Sequence, residues 1–181
     1  MQISKSKQTK SKISPKTIVL TAMFAALVTA ATAFIKIPAP LGYAHAGDSM
    51  VFLAACALPG PFGLIAAAIG GAMADLLSGY AVWVIPTAVI KALNVLPFLL
   101  AKRFVKKHSD RLIHPASLIA VVPTTVITIG GYFIANLLLY DYAAAIAETP
   151  FNLVQSAVGA VLFVAIGLAL DAVGFKQRLL K

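Results

Sequence analysis

Charge is scarce in this chain. Only 12% of its 181 residues are Asp, Glu, Lys or Arg, and six of them are acidic. A soluble domain carries about 25% charged and about 45–50% apolar residues. Here 60% are apolar and the mean hydropathy is +0.92. These values exclude an ordinary soluble domain and indicate an integral membrane protein of one domain. Cysteine is rarer still. Cys56 stands alone in an apolar run, which excludes a disulfide framework and any metal site built on spaced cysteines. Catalytic motifs are missing too. The sequence has no G-x-x-x-x-G-K-[ST] phosphate loop, no H-E-x-x-H, no G-x-S-x-G and no pair of carboxylates spaced for catalysis. The chain is therefore not expected to be an enzyme, to hydrolyse ATP by that route, or to bind a metal or cofactor itself. A channel would require a repeated filter or a charged ring, and neither is visible.

What is present is apolar sequence in helix-sized lengths. A spanning helix needs about 20 apolar residues. Six segments are expected: Thr17 to Phe34, Ser49 to Leu58, Phe62 to Leu77, about Val84 to Leu100, about Pro115 to Leu139, and about Phe151 to Val173. The second and third are too short to cross without tilt or thinning. "PGP" at Pro59–Gly60–Pro61 and "SGYAVW" from Ser78 punctuate them. The expected fold is an all-α compact bundle of six transmembrane helices. Residues 17–175 form the membrane domain, between a basic tail at 1–16 and a basic C-terminus at 176–181. The first apolar stretch is too long for a signal peptide and is expected to stay in the membrane.

The basic residues are clustered. Thirteen of the fifteen fall before helix one (Lys5, Lys7, Lys10, Lys12, Lys16), between helices four and five (Lys102, Arg103, Lys106, Lys107, Arg111), and at the end (Lys176, Arg178, Lys181). With six crossings all three clusters lie on one side, which the positive-inside rule makes cytoplasmic, along with both termini. The net charge of +9 then reads as anchoring to anionic headgroups in the cell membrane, not as nucleic-acid binding.

Polar groups at membrane depth are costly and mark function. Thr87, Lys91 and Asn94 share one helix face by their spacing, as do Thr125, Thr128, Tyr132 and Asn136, and likewise Asn152, Gln155 and Gly159. All three faces occupy the outer halves of their helices, so they suggest one outward pocket. Lys91 could instead pair with Asp75 or Asp48, and any single amide could be glue between helices. Trp83 and Tyr80 could be interfacial belt residues or a stacking surface for a flat ring. The stretch "GYAHAGDSMVF", residues 42 to 52, sits at the pocket mouth, with Tyr43 and His45 placed to close over it. Asp48 could start a helix, touch ligand or pair with Lys91. On helix one, Ala22, Ala26 and Ala30 form one small-residue track, and Ala25, Thr29 and Ala33 a second. Either would let a neighbouring helix approach closely, inside the bundle or on a partner.

Six alanine-rich segments, the basic tail and the run from Gly47 to Lys91 (GD-x-x-x-F-L-A, GP-x-G, G-x-x-A-D-L-x-x-G-Y, P-T-x-x-I-K) resemble the substrate-binding S components of energy-coupling factor (ECF) vitamin transporters. Within that family the chain looks most like the branch assigned to hydroxymethylpyrimidine or pyridoxine-type precursors. Its single tryptophan departs from the tryptophan-rich thiamine-type members. The resemblance implies high-affinity vitamin binding from outside, with the loop between helices one and two as a lid and contacts from helices four to six. It implies a transmembrane coupling protein and two cytoplasmic ATPases as partners, which use the ATP. The family's docking motif would map to Ala22, Ala26 and Ala30. The ligand contacts would be Tyr43, His45, Asp48, Trp83, Lys91, Asn94, Tyr132, Asn136, Asn152 and Gln155. The rival expectation is a stand-alone carrier driven by a proton or sodium gradient and coupled through Asp75 or Lys91.

Overall fold

The computed structural model describes residues 14–104 and 110–180. Lys5, Lys7, Lys10, Lys12, Lys106, Lys107 and Lys181, and with them nearly all of the expected basic tail, lie outside the described residues.

Helix α1 (Pro15–Phe34) starts on a proline, whose missing N–H is not needed in a first turn. A hairpin of β1 (Lys36–Ala39) and β2 (Gly42–His45) follows, with Lys36 opposite His45 and Ala39 opposite Gly42. The sequence led us to expect a flexible lid loop and a purely helical chain. The structure instead has a paired hairpin, closed at its base by Ala46 N–H donating to the Ile35 carbonyl at 3.0 Å. A Cβ at Gly47 would lie 1.9 Å from Thr32 Oγ1, so glycine serves close approach of the hairpin base to α1.

Helices α2 (Gly47–Ala57) and α3 (Phe62–Leu77) are shorter, at about 16 and 24 Å of rise, against a hydrocarbon core of about 30 Å. A short turn at Ala81–Trp83 leads into α4 (Val84–Leu93) and α5 (Leu96–Phe104). The break between α4 and α5 divides the fourth expected segment. Pro97 causes it, having no N–H to give to the Leu93 carbonyl. Helix α6 (Pro115–Leu139) matches its expected limits. Helix α7 (Tyr142–Ala172) begins nine residues before the expected Phe151. The Asp141 side chain caps it by accepting from Ala144 N–H at 2.8 Å, and the alanine-rich run carries the helix on past Pro150. Helix α8 (Phe175–Leu180) ends the described chain.

Among the described residues, four stretches are long and apolar enough to cross a membrane: α1, Ala81–Arg103, α6 and α7. Large apolar side chains face outward along them, with Ile85, Ile119 and Leu138 at 76%, 70% and 80% exposure. No aqueous fold would leave such a belt uncovered, and the chain is a membrane protein.

The interior has two parts. At the end away from the hairpin, Phe52, Phe98 and Phe163 are buried with ring centroids 5.3–5.9 Å apart, surrounded by Leu53, Leu58 and Val95. Lys102 Nζ closes the last turn of α2 there, donating to the Ala55 carbonyl at 2.6 Å and the Leu58 carbonyl at 3.2 Å. Asp171 fixes the chain before α6, accepting from Leu112 and Ile113 N–H at 2.6 and 2.9 Å. The hairpin end is polar and holds a cleft.

The two alanine tracks of α1 separate cleanly. Ala25 and Ala33 are buried, and Thr29 Oγ1 donates to the Gly70 carbonyl of α3 at 3.0 Å. Ala22, Ala26 and Ala30 are exposed and line an apolar groove with Ile65, Ile69 and Met73 of α3.

Candidate functional site

The cleft under the hairpin is nearly closed, with an open volume of about 40 Å³. That is far below the roughly 300–1,000 Å³ of ligand-sized sites, so with the hairpin down the walls stand close together. The hairpin forms its roof, the end of α3 and the turn into α4 one wall, and α6 and α7 the other.

Tyr43 and His45 reach in from β2. The Tyr43 hydroxyl donates to Asp75 Oδ1 at 2.7 Å, and its ring lies 5.1 Å from that of Tyr80. Lys36 Nζ stands 4.4 Å from the Tyr43 ring centroid and donates to Ser78 Oγ at 2.8 Å, tying the hairpin to the end of α3. Leu41 N–H donates to the Glu148 carboxylate of α7, a second tie. Burial, reinforced by the Asp75 carboxylate, pushes the Tyr43 phenol well above its ordinary range, so it remains a donor. His45 is pulled down to about 3 by burial and then by the positive charge of Lys91, so its ring is neutral. Its Nδ1 accepts from Gly47 N–H at 3.1 Å.

The aromatic wall is Trp83 beside Tyr132, with ring centroids 5.8 Å apart. Trp83 is 7% exposed, so it faces the cleft and is not a belt residue. Asn136, one turn beyond Tyr132, donates from Nδ2 to the Tyr132 carbonyl at 2.9 Å. From α7 come Glu148, Asn152 and Gln155, spaced four and three apart on one face. Trp83 Nε1, Asn136 Oδ1 and Asp75 Oδ2 are buried without a hydrogen-bond partner.

Three of the residues expected to touch ligand do not line this cleft. Lys91 and Asp48 form an ion pair beneath it, both with no exposed side-chain surface. Gln155 Nε2 donates to the other Asp48 oxygen at 3.0 Å, linking the pair to the cleft floor. The side chain of Asp48, in the first turn of α2, thus serves the pair and not a helix cap. Gly159 makes room for it, since a Cβ there would come 2.7 Å from Asp48 Cβ. Asn94 lies one turn deeper, where its Nδ2 donates to Thr128 Oγ1 at 2.8 Å and its carbonyl accepts from Thr124 Oγ1 at 3.2 Å. Thr124, not the expected Thr125, carries the α6 face at that depth. Thr125 bonds back to the Val121 carbonyl of its own helix. The polar faces do converge, but as a ladder descending from the cleft, and only its upper rungs are open.

Sequence reasoning left Asp75, Tyr80, Thr87 and Glu148 out of the ligand set, and all four line the cleft. Glu148 was hidden by reading its segment as a loop. The signal was there, because Glu148 extends the Asn152 and Gln155 spacing one turn toward the N-terminus. No group of three His, Cys, Asp or Glu placed to hold a metal occurs among the described residues.

Fold and cleft together define a helical membrane protein with a polar, aromatic-walled cleft roofed by a hairpin. The family model for the S component of ECF-type riboflavin transporters matches residues 12–172, and the chain belongs to that family. It is therefore a transporter subunit and not itself an enzyme. A Pyrococcus woesei protein, described as an uncharacterized protein in gap 3′ region, is 30% identical over 137 residues, covering 75% of this chain and 88% of its own. A solved S component of a bacterial ECF transporter superposes with a TM-score of 0.68 at 21% identity, over 87% of this chain and 96% of that one.

Proposed function

We propose that this chain is the high-affinity substrate-binding subunit of an ATP-driven ECF importer in the cell membrane, taking a small ring-shaped vitamin or precursor, hydroxymethylpyrimidine or pyridoxine-like, from outside. The observation that carries this reading is the cleft itself. Aromatic faces stand beside buried polar atoms that lack partners, all under a hairpin tied down at both sides. A site with unmet hydrogen-bonding groups and a stacking wall is incomplete until a flat polar ligand fills it. In this reading Trp83 or Tyr132 stacks on the ring, and Asn136, Asn152 and Gln155 meet its polar groups. Tyr43 and His45 close over it. Asp48, Lys91 and Asn94 act from beneath, holding Gln155 and the α4 and α6 walls in place.

The hairpin end faces outside and the termini face the cytoplasm. The exposed Ala22, Ala26 and Ala30 give the coupling protein a smooth surface to dock on, since small residues let another helix approach closely. Two cytoplasmic ATPases supply the energy, and this chain binds no cofactor. In cells expressing the chain with and without the coupling protein and ATPases, uptake of the bound vitamin should require all of them, while the purified chain binds it alone. Uptake by the chain alone, abolished by an uncoupler, would establish the ion-driven carrier instead.

A further inference from the structure

We infer that the cleft selects a heteroaromatic ring bearing an amine or equivalent N–H donor and rejects rings bearing a carboxylate. The inference rests on the reading of this cleft as the substrate site. It comes from how charge and unmet hydrogen-bonding groups are distributed around the walls.

Two carboxylates face the space from opposite sides, Asp75 of α3 and Glu148 of α7, and both are largely buried. The cations nearby are otherwise engaged. Lys91 lies beneath the floor in its pair with Asp48. Lys36 is on the exposed side of the hairpin, over the Tyr43 ring and bonded to Ser78. His45 is buried in the wall with its Nδ1 occupied by Gly47 N–H. The cleft is thus an acidic, half-apolar space.

The unmet atoms agree with this. Asp75 Oδ1 is taken by Tyr43, while Asp75 Oδ2 and Asn136 Oδ1 are acceptors with no donor. Trp83 Nε1 is a donor with no acceptor. Buried polar groups left unpaired are costly, so a ligand that supplies donors to the first two and a ring acceptor to the third gains most, with Tyr132 then giving the stacking face because the Trp83 N–H points along its own ring plane. An aromatic ring with a nitrogen lone pair and an amino or aminomethyl substituent has that pattern. A ring carboxylate offers only acceptors, so it would leave Asp75 Oδ2 and Asn136 Oδ1 unpaired and add a further desolvated carboxyl group beside Asp75 and Glu148.

The test is calorimetric titration of the purified full chain with matched probes. One series is pyridoxamine, pyridoxine and 4-pyridoxate, which differ only in bearing an aminomethyl, hydroxymethyl or carboxylate group. The second is 5-hydroxymethyl-2-methylpyrimidine with and without its 4-amino group. In each series that binds, the amine should bind at least about tenfold tighter than its partner, the scale of one hydrogen bond to a charged group. 4-Pyridoxate should bind weakest. Asp75→Asn should erase the amine preference while retaining the fold, read by its unfolding temperature. Glu148→Gln should reduce that preference and provides a second reading if Asp75→Asn fails to fold. Equal or tighter binding of the hydroxymethyl, deamino or carboxylate probe overturns the inference and leaves the binding-subunit reading intact. If none of these probes and no B vitamin binds, both fall.

Discussion

The two ends of this bundle solve opposite problems with the same helices. Away from the hairpin, α2, α5 and α7 bring Phe52, Phe98 and Phe163 into a dry, fully buried cluster. At the hairpin end, α3, α4, α6 and α7 leave a cleft lined by Asp75, Thr87, Tyr132, Asn152 and Gln155, with several polar atoms unpaired. One end is packed as an interior is normally packed. The other keeps unsatisfied groups at a depth where they are expensive. The Asp48–Lys91 pair lies between them and marks the boundary. Below it Asn94 Nδ2 donates to Thr128 Oγ1 and the Asn94 backbone carbonyl accepts from Thr124, leaving only its Oδ1 unpaired. Above it Asp75 Oδ2, Trp83 Nε1 and Asn136 Oδ1 stay open around the cleft, where the proposed ligand would sit. The difference teaches that polarity at membrane depth can serve two ends here, a buried ion pair that ties helices together and the proposed binding.

The largest effects are expected at the boundary and in the dry end. Lys91→Ala leaves Asp48 buried without a counter-charge. It should cost about 3–5 kcal/mol of stability, read by thermal or denaturant unfolding in detergent. Lys91→Met combined with Asp48→Leu should recover most of it, because a buried pair replaced by apolar groups is close to neutral. Failure of the double variant to recover would move the pair into the binding machinery. Phe163→Ala should cost a comparable ~3–5 kcal/mol through the cavity it opens, with little change in ligand affinity in whatever fraction stays folded.

In the cleft the balance reverses. Trp83→Ala should lower affinity for the vitamin ligand by more than about tenfold, the loss of roughly 2 kcal/mol of aromatic burial. Its unfolding temperature without ligand should move less than that of Phe163→Ala. Affinity is read by calorimetry. The smallest effect is a pH slope. His45 is ordinarily protonated below about 6.5, but in the fold it is held neutral down to about 3. Above 6.5 both folded and unfolded chains carry it neutral and it contributes no slope. Between 6.5 and 3 the unfolded chain takes up a proton that the folded chain refuses, so stability falls as pH falls. The slope is at most about 1.4 kcal/mol per pH unit, and His45→Gln should flatten it in unfolding scans at pH 7, 6 and 5.

Much of the fold could be read from apolar length alone. The six expected segments correspond to α1, α2, α3, the α4–α5 run, α6 and α7, because each is bounded by proline, glycine or charge. The hairpin could not be read that way. Its strands are four residues each, too short for an alternating pattern to show, and Pro38 interrupts one of them. The start of α7 was placed near Phe151, but Asp141 caps the helix and Pro150 is carried inside it. That one misjudgement hid Glu148.

At the site, periodicity correctly grouped residues on faces but could not supply depth along them. Thr87, Lys91 and Asn94 share a face, yet only Thr87 reaches the cleft. Spacing gives angle around a helix. Which turn meets the cavity depends on where the neighbouring helices stop, and that is a tertiary fact. The partner of Lys91 was open between Asp48 and Asp75 for the same reason. The choice was made by Gly159, which admits Asp48, and by Tyr43, which takes Asp75.

The central claim is that the hairpin-end cleft binds a vitamin or precursor without help from partner subunits. Calorimetric titration of the purified chain with its best ligand from a panel of B vitamins and precursors, repeated on Trp83→Ala and Asn152→Ala, tests it most directly. The account predicts one site per chain, with affinity lowered more than about tenfold by the first substitution and measurably by the second. Unchanged affinity in both variants, or no ligand in the panel, would contradict it.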